Sequence, residues 1–231
     1  AVVGTGNFHE GNARVYTDYF LMTADPRIVN DVDEVFNFIR HPYAPVKFRY
    51  LMVSPNHMRN VLYNLIDDEI ANKKAGKEAF IRVKINHITD ETMVTKLYEA
   101  SRAGVPVDIL VRGNDSIVTG VDRLSDNIHA RGIIDRYLEH ARLFHFCAGG
   151  KNKVYLGSAD WMPRNLDTRV EVAAPVFDEE IKADVIRTID MGLADNTHSR
   201  IADGTGANTM YTDGKPPFRS QQALYDAYAG S

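Results

Sequence analysis

A histidine opposite a turn of small residues is the pattern in this sequence best suited to chemistry. His140 ends the run "RYLEH", and a Gly149-Gly150-Lys151-Asn152 turn brings the chain back to Gly157-Ser158-Ala159-Asp160. A hairpin there sets a group able to take or give a proton across from hydroxyls and backbone N–H groups that could cradle an anion. Arg112 follows the apolar run Val107–Val111, at a strand C-terminus, where α/β sheets bind ligands. Its guanidinium fork suits bidentate contact with a phosphate-like oxyanion.

The cradle occurs twice. "VVGTGNF…YTDYF…ADPRIVNDVDEVF" aligns without gaps on "YLGSADW…RVEVA…FDEEIKADVIRTI" at an offset of 153. Gly4 falls on Gly157, Thr5 on Ser158, Asn7 on Asp160, Phe8 on Trp161, Asp18 on Glu171, Asp25 on Asp178 and Val32 on Val185. Agreement over some thirty residues implies two copies of one strand–turn–strand–helix unit. The second copy carries His140 ahead of its cradle. A histidine in the same relation to the first cradle, Gly4–Asn7, would lie upstream of Ala1, so the chain is expected to be cut between that cradle and its histidine.

The elements that must position these groups alternate between strand and helix. Ala1–Val3 reads as a strand and Arg14–Thr23 as extended chain. Asp25 as N-cap and Pro26 at the first helical position open a helix with apolar residues at Ile28, Val32, Val35 and Phe36. The two prolines of "HPYAPVKFRYLMVSP" mark a linker running into a short strand, and a domain boundary is placed near 41–50. A helix capped by Asn56, the strand "AFIRVKINHI", a helix ending at Gly104, the strands "VPVDILVRG" and "IHARGII", and the "RLFHFCAGGKNKVYLGSADW" hairpin follow. "DEEIKADVIRTIDMGL" reads as a helix, 195–217 as a polar loop and "SQQALYDAYAGS" as a short closing helix. This is an α/β pattern.

Composition narrows the field. Net charge is −4, against broad nucleic-acid binding but compatible with a local basic channel. No apolar run approaches the ~20 residues of a transmembrane helix. Without a basic n-region or a cleavage site, the N-terminus is not expected to act as a signal peptide. One cysteine, Cys147, excludes a disulfide framework and a cysteine zinc site and fits a reducing compartment. His9, His87, His129 and His145 show no metal-ligand spacing to another His, Cys or carboxylate.

The duplicated histidine-and-cradle unit resembles the phospholipase D superfamily. More closely, "GTGNF.E..ARVYTDY.L.TADP.I..DV..VFN", "YLMVSP", "ASRAGVPVDILVRG", "LSDNI.AR.I..RYLEH.R" and "VYLGSADWMPRNLD.RVEVA.PV" resemble the C-terminal part of the bacterial polyphosphate kinases. The resemblance covers nearly the whole chain. It implies a phospholipase D-like mixed sheet flanked by helices, with residues 1–45 as the tail of one such catalytic domain and 46–231 as a complete second one. It implies reversible transfer of the ATP γ-phosphate to inorganic polyphosphate through a phosphohistidine, with Mg2+ in the intact enzyme. It also implies ATP/ADP and polyphosphate as partners, a homo-oligomeric full-length protein, and a cytoplasmic location with membrane association left open.

By resemblance, His140 matches the second active-site histidine, Tyr16 an ATP-contacting tyrosine and Arg112 an ATP-contacting arginine. The phosphate-accepting histidine and the magnesium-linked arginines lie upstream, so no metal ligand is assigned here and the chain alone is expected to be inactive. After "VRG" many members carry a Cys-Cys-Leu-Arg-Pro-like segment, whereas this chain has Asn114–Val118. Gly4, Thr5, Asn7, Ser158, Asp160 and Asn165 form the expected phosphate cradle. Against these stand plainer readings: His140 as a satisfied strand histidine, Tyr16 as a packed sheet tyrosine beside Tyr19, Asp160 as a turn residue, and Arg164 and Arg169 as partners of carboxylates such as Glu171. A superfamily phosphodiesterase or nuclease, and a non-catalytic polyanion-binding module, are the alternative functions.

Overall fold

The duplicated unit folds the same way twice. A computed structural model describes residues 1–55 and 57–229. Its first copy runs β1 (Val2–Gly4), α1 (Glu10–Ala13), β2 (Tyr16–Thr17), β3 (Phe20–Met22) and α2 (Pro26–Arg40). Next come β4 (Met52–Val53), α3 (Met58–Lys74), β5 (Ile81–Ile85), α4 (Glu91–Arg102), β6 (Val107–Val111), β7 (Ile128–Ile133), β8 (Leu138–Glu139) and β9 (Arg142–Phe146). The second copy is β10 (Lys153–Gly157), α5 (Pro163–Asp167), β11 (Val172–Pro175) and α6 (Glu179–Ala194), followed by β12 (Ser199–Ile201) and α7 (Ser220–Ala229).

Register and side-chain bonds repeat with the sequence. Gly4 pairs with Phe20 and Val3 with Leu21, as Gly157 pairs with Ala173 and Leu156 with Ala174. The Thr5 hydroxyl donates to Asp18 and accepts from the Tyr19 N–H. The Ser158 hydroxyl likewise donates to Glu171 and accepts from the Val172 N–H. Both long helices open on the expected aspartate: Asp25 accepts from the Arg27 N–H, and Asp178 from those of Glu180 and Ile181. Gly157 has no room for a side chain, since a Cβ would stand 2.5 Å from the Val172 carbonyl oxygen.

Eight strands form one mixed sheet in the order β12-β7-β6-β5-β9-β10-β11-β4. β5, β6 and β7 are parallel and the other pairings antiparallel. The sheet is covered on both faces. Met58, Leu62, Ile66, Met93 and Leu97 pack with Phe144 and Trp161 on one side. Ile28, Val185 and Ile189 pack with Leu143 and Leu156 on the other. This explains why β9 is buried at all five positions instead of alternating. Asp31 of α2 accepts from the N–H groups of Arg49, Tyr50 and Leu51 at 2.7–2.9 Å, which ties the proline-rich linker to the first copy.

Several expectations are corrected. Arg14–Thr23 is not one extended stretch: two short strands interrupted at Asp18-Tyr19 occupy it, preceded by the one-turn α1. The 195–217 loop contains β12, an edge strand paired with β7. His140 does not lie within a strand but links β8 to β9. Asn56, the expected cap of α3, lies outside the described residues; the adjoining His57 makes no side-chain cap bond.

Arg59 of α3 binds the α4 cap residue Asp90 and Asp167 of α5, fixing the helix that follows the second cradle. Burial alone would raise the Asp90 carboxyl, but Arg59, Thr92 and the Met93 N–H bring it down to about 2 from 3.8. Its folded value lies below its unfolded one, so its stabilisation is complete above pH ~4 and is lost as pH falls toward 2. We expect acid titration of the folded chain to lose roughly 2 kcal/mol over that window through this group. Equilibrium denaturation of wild type and Asp90→Asn at pH 7 and pH 2.5 checks it: the two should converge at low pH.

Candidate active site

The C-terminal ends of β5 and β6, the His140 link, and the two cradles meet in one place. His140 Nδ1 lies 2.8 Å from Asp18 Oδ1, so the second copy's histidine is held by the first copy's carboxylate. Burial would raise the Asp18 carboxyl, but the hydrogen bonds from His140 and Thr5 and the charges of His140 and Arg142 hold it below its usual value. Toward a neutral imidazole, an ionised Asp18 accepts from Nδ1–H and so favours the tautomer whose lone pair is on Nε2. The Tyr16 ring packs against the imidazole, with centroids 4.8 Å apart.

Arg142, directly across from Gly157, holds the two cradles together. Its Nε and Nη2 reach Asp160 at 3.2 and 3.1 Å. Its Nη1 lies 3.0 Å from the Thr5 carbonyl, 2.9 Å from the His140 carbonyl and 3.1 Å from His140 Nε2. Nη1 has two hydrogens and four acceptors around it, the fourth being the Asn86 amide oxygen at 3.0 Å. The two carbonyls can take both, which leaves Nε2 able to receive a proton or meet an anion. The Asn86 amide fits best with its oxygen toward Arg142 and its nitrogen 2.9 Å from the Glu139 carbonyl. Arg112 donates from Nε to that same carbonyl at 2.9 Å. For the Arg112 terminal nitrogens no hydrogen-bond partner is found among the described residues.

The structure brings together Tyr16, Arg112, His140, Thr5, Ser158 and Asp160, but not as an open cradle. The Thr5 and Ser158 hydroxyls are engaged by Asp18 and Glu171, and their N–H groups by the Tyr19 and Val172 carbonyls. Asp160 receives Arg142 and the N–H groups of Asn86 and His87, and the Asn165 amide donates to Glu171 at 2.7 Å. Gly4 sits under the Phe20 ring, where a Cβ would stand 2.4 Å away. Asn7 is exposed. The buried members of the set therefore build the walls, and they hold the carboxylates more than they face solvent. Arg164 and Arg169 are exposed, and Arg169 comes within 4.0 Å of Glu171. Among the described residues no three His, Cys, Asp or Glu side chains converge as metal ligands.

Residues 51–221 match the family model described as polyphosphate kinase C-terminal domain 2, and residues 1–45 the one described as polyphosphate kinase C-terminal domain 1. The chain belongs to the polyphosphate kinase family. It is 49% identical over 227 residues to the polyphosphate kinase of Escherichia coli strain K12, covering 98% of this chain and 33% of that protein. The Vibrio cholerae polyphosphate kinase is 45% identical, with 98% and 32% covered. The crystal structure of polyphosphate kinase from Porphyromonas gingivalis superposes with a TM-score of 0.94 at 38% identity, over 99% of this chain and 35% of that one. The chain thus spans about a third of the length of the relatives it matches.

Four residues of this candidate site carry little or no mark in the sequence. Asp18 had a visible signal, a carboxylate at the same register of both copies. Arg142 follows His140 by two residues, with nothing in the sequence to tie it to Asp160. His87 was set aside for lack of ligand spacing, yet its Nδ1 accepts from the Asn114 N–H at 3.0 Å. Burial, opposed by Asp160 and assisted by the charges of Arg112, Arg142 and Arg164, lowers its pKa. The loop after Arg112 thus anchors a neutral imidazole at the rim. Glu139, the fourth, has no sequence signal beyond its place beside His140. No helix among the described residues is long and apolar enough to cross a membrane.

Proposed function

We propose that this chain is the C-terminal catalytic portion of an ATP:polyphosphate phosphotransferase. In the intact enzyme the γ-phosphate of ATP passes to a histidine outside residues 1–231 and then to the end of a polyphosphate chain, reversibly. Residues 1–45 are read as the tail of the first phospholipase D-like catalytic domain and 46–231 as the second, a division supported by the two family-model matches. The Asp18–His140 bond carries the reading. It makes one site out of both copies, and the first copy has the cradle and the carboxylate but no counterpart of His140 in this chain. By the same repeat, Glu171 is the group expected to orient that missing counterpart.

Phosphoryl transfer asks for in-line placement and neutralised charge. A nucleophilic histidine divides the overall transfer into two steps. His140, with Nδ1–H on Asp18 and Nε2 inward, is placed to protonate or deprotonate the terminal oxygen on the opposite side of the phosphorus. Arg112 offers its terminal nitrogens to the phosphates, and Tyr16 a ring face to adenine. Mg2+ would come with the nucleotide and is assigned no ligand here. By itself the chain is read as unable to catalyse turnover, and the full-length protein as a cytoplasmic homo-oligomer.

ATP binding tests the assignment. In a full-length kinase carrying this chain, Arg112→Ala should raise KM for ATP about 10–100-fold, as expected for the loss of a charged hydrogen bond worth 1.5–3 kcal/mol. Tyr16→Ala should raise it about fivefold, for a stacking contact near 1 kcal/mol, with Tyr16→Phe close to wild type. Unchanged nucleotide KM in both alanine variants would refute these contacts.

A further inference from the structure

We infer that Glu139, clamped by Lys84 and by Gln221 of α7, is the positioning residue that fixes His140 against Asp18 and Tyr16, which makes the C-terminal helix part of the site. The inference rests on the reading that His140 serves phosphoryl transfer. It starts from β8, which is two residues long and pairs only with the equally short β2. So small a parallel ribbon has little stability of its own. Yet β2 carries Tyr16 and leads to Asp18, while β8 leads to His140.

Side chains supply what the ribbon lacks. The Gln221 amide oxygen accepts from the Tyr137 N–H at 2.9 Å and its nitrogen donates to the Tyr137 carbonyl at 2.8 Å, as an adjoining strand would. Its second amide hydrogen goes to Glu139 Oε1 at 2.7 Å. Glu139 Oε2 pairs with the buried Lys84 ammonium and accepts from the Thr17 hydroxyl at 3.3 Å. Thr17 Oγ1 in turn accepts from the His140 N–H at 3.3 Å. The Glu139 carbonyl takes Arg112. One buried glutamate therefore joins β2, β5, the end of β6 and α7 around the histidine. Lys84, Glu139 and Gln221 are all buried, and a buried network of this kind holds its geometry only while every member keeps its partner.

α7 is itself anchored where it can transmit this. The Ser220 N–H and hydroxyl both donate to Asp195 at 2.7 and 2.8 Å, and Tyr228 donates to Asp184 of α6. The effect of α7 on His140 passes through the Gln221 bonds to Tyr137 and Glu139.

The test uses a full-length kinase carrying this chain, and the chain itself. Gln221→Ala should lower kcat for polyphosphate synthesis about 10–100-fold, the cost of a ~1 Å misplacement of a reacting group, with KM for ATP changed less than about threefold. Gln221→Glu sets a second carboxylate against Glu139. The pair shares a proton more readily as pH falls, which restores a donor, so the kcat of this variant relative to wild type should rise from pH 8 to pH 6. Gln222→Ala, on the exposed face, should leave kcat unchanged. Long-range 1H–15N spectra of the chain should show His140 protonated at Nδ1 in wild type and a tautomer mixture in Gln221→Ala. A Gln221→Ala enzyme within twofold of the wild-type kcat, together with an unaltered His140 tautomer, would overturn the inference. A wild-type enzyme that makes no polyphosphate would instead overturn the functional reading, and the spectra would still decide whether Gln221 positions His140.

Discussion

Replacing His140 by alanine in a full-length kinase that carries this chain should lower the rate of ATP-dependent polyphosphate synthesis by about 10²–10⁴, the range that a positioned acid–base group contributes. The fold should survive. His140 is part of a link rather than a sheet strand, and its ring is 19% exposed, so its removal leaves no large cavity. Asp18 loses one partner but keeps the Thr5 hydroxyl at 2.6 Å. His140→Asn should recover little, because a carboxamide can fill the space but cannot exchange a proton near neutral pH. Asp18→Asn should fall between wild type and His140→Ala. It keeps a hydrogen bond to Nδ1 but releases the tautomer that an ionised carboxylate fixes. Initial rates of polyphosphate formation, with a thermal melt of each variant, check the series.

Arg142→Ala should produce the largest loss of stability. The guanidinium is buried, forks onto Asp160, and reaches two carbonyls from different copies of the repeat. Removing it leaves the buried Asp160 without a counter-charge, held only by the Asn86 and His87 N–H groups, a change that costs about 3–5 kcal/mol. For a chain of this size that corresponds to a fall in melting temperature of about 6–20 °C. Arg142→Lys should recover only part of this, since an ammonium has no planar fork to match both Asp160 oxygens. Arg142→Ala/Asp160→Ala should melt above Arg142→Ala alone, because no charge is then stranded. Denaturant or thermal unfolding of these variants, with Asp160→Ala completing the cycle, reads the coupling. If Arg142→Ala melts within 2 °C of wild type, the bridge is not what holds the cradles together.

Much of the scaffold was legible because its causes are local. Asp25-Pro26 and Asp178 open helices by satisfying N–H groups close in sequence, and the chain shows both. Gly104 closes a helix because it adopts a φ of +82°. The repeat was legible because both copies bury the same face, so Thr5 and Ser158, and Asp18 and Glu171, recur at one offset. It foretold that the two units would share register. It did not foretell that the cradle hydroxyls are engaged by those carboxylates, because the pairing depends on how β1 and β3 close upon each other.

What stayed hidden is long-range. β8 has two residues and no period to detect; its place is set by β2, some 120 residues away, and by Gln221, 84 positions from Tyr137. β12 sits in a polar stretch that becomes a strand only because β7 offers it an edge. Arg142 follows His140 by two residues with no sequence sign of its partner, and only the fold brings it to Asp160. His87 carried no ligand spacing, and its position depends on the loop after Arg112 curling back over it.

The measurement that bears most directly on the account is the site of phosphorylation. A full-length kinase carrying this chain, treated briefly with ATP and mapped by mass spectrometry under conditions that preserve phosphohistidine, should hold phosphate on a histidine outside residues 1–231. His140 should remain unmodified, and His140→Ala should slow formation of the phosphoenzyme without abolishing its site. Phosphate found on His140 itself would contradict the assignment of His140 as the acid–base partner of an upstream phosphate acceptor.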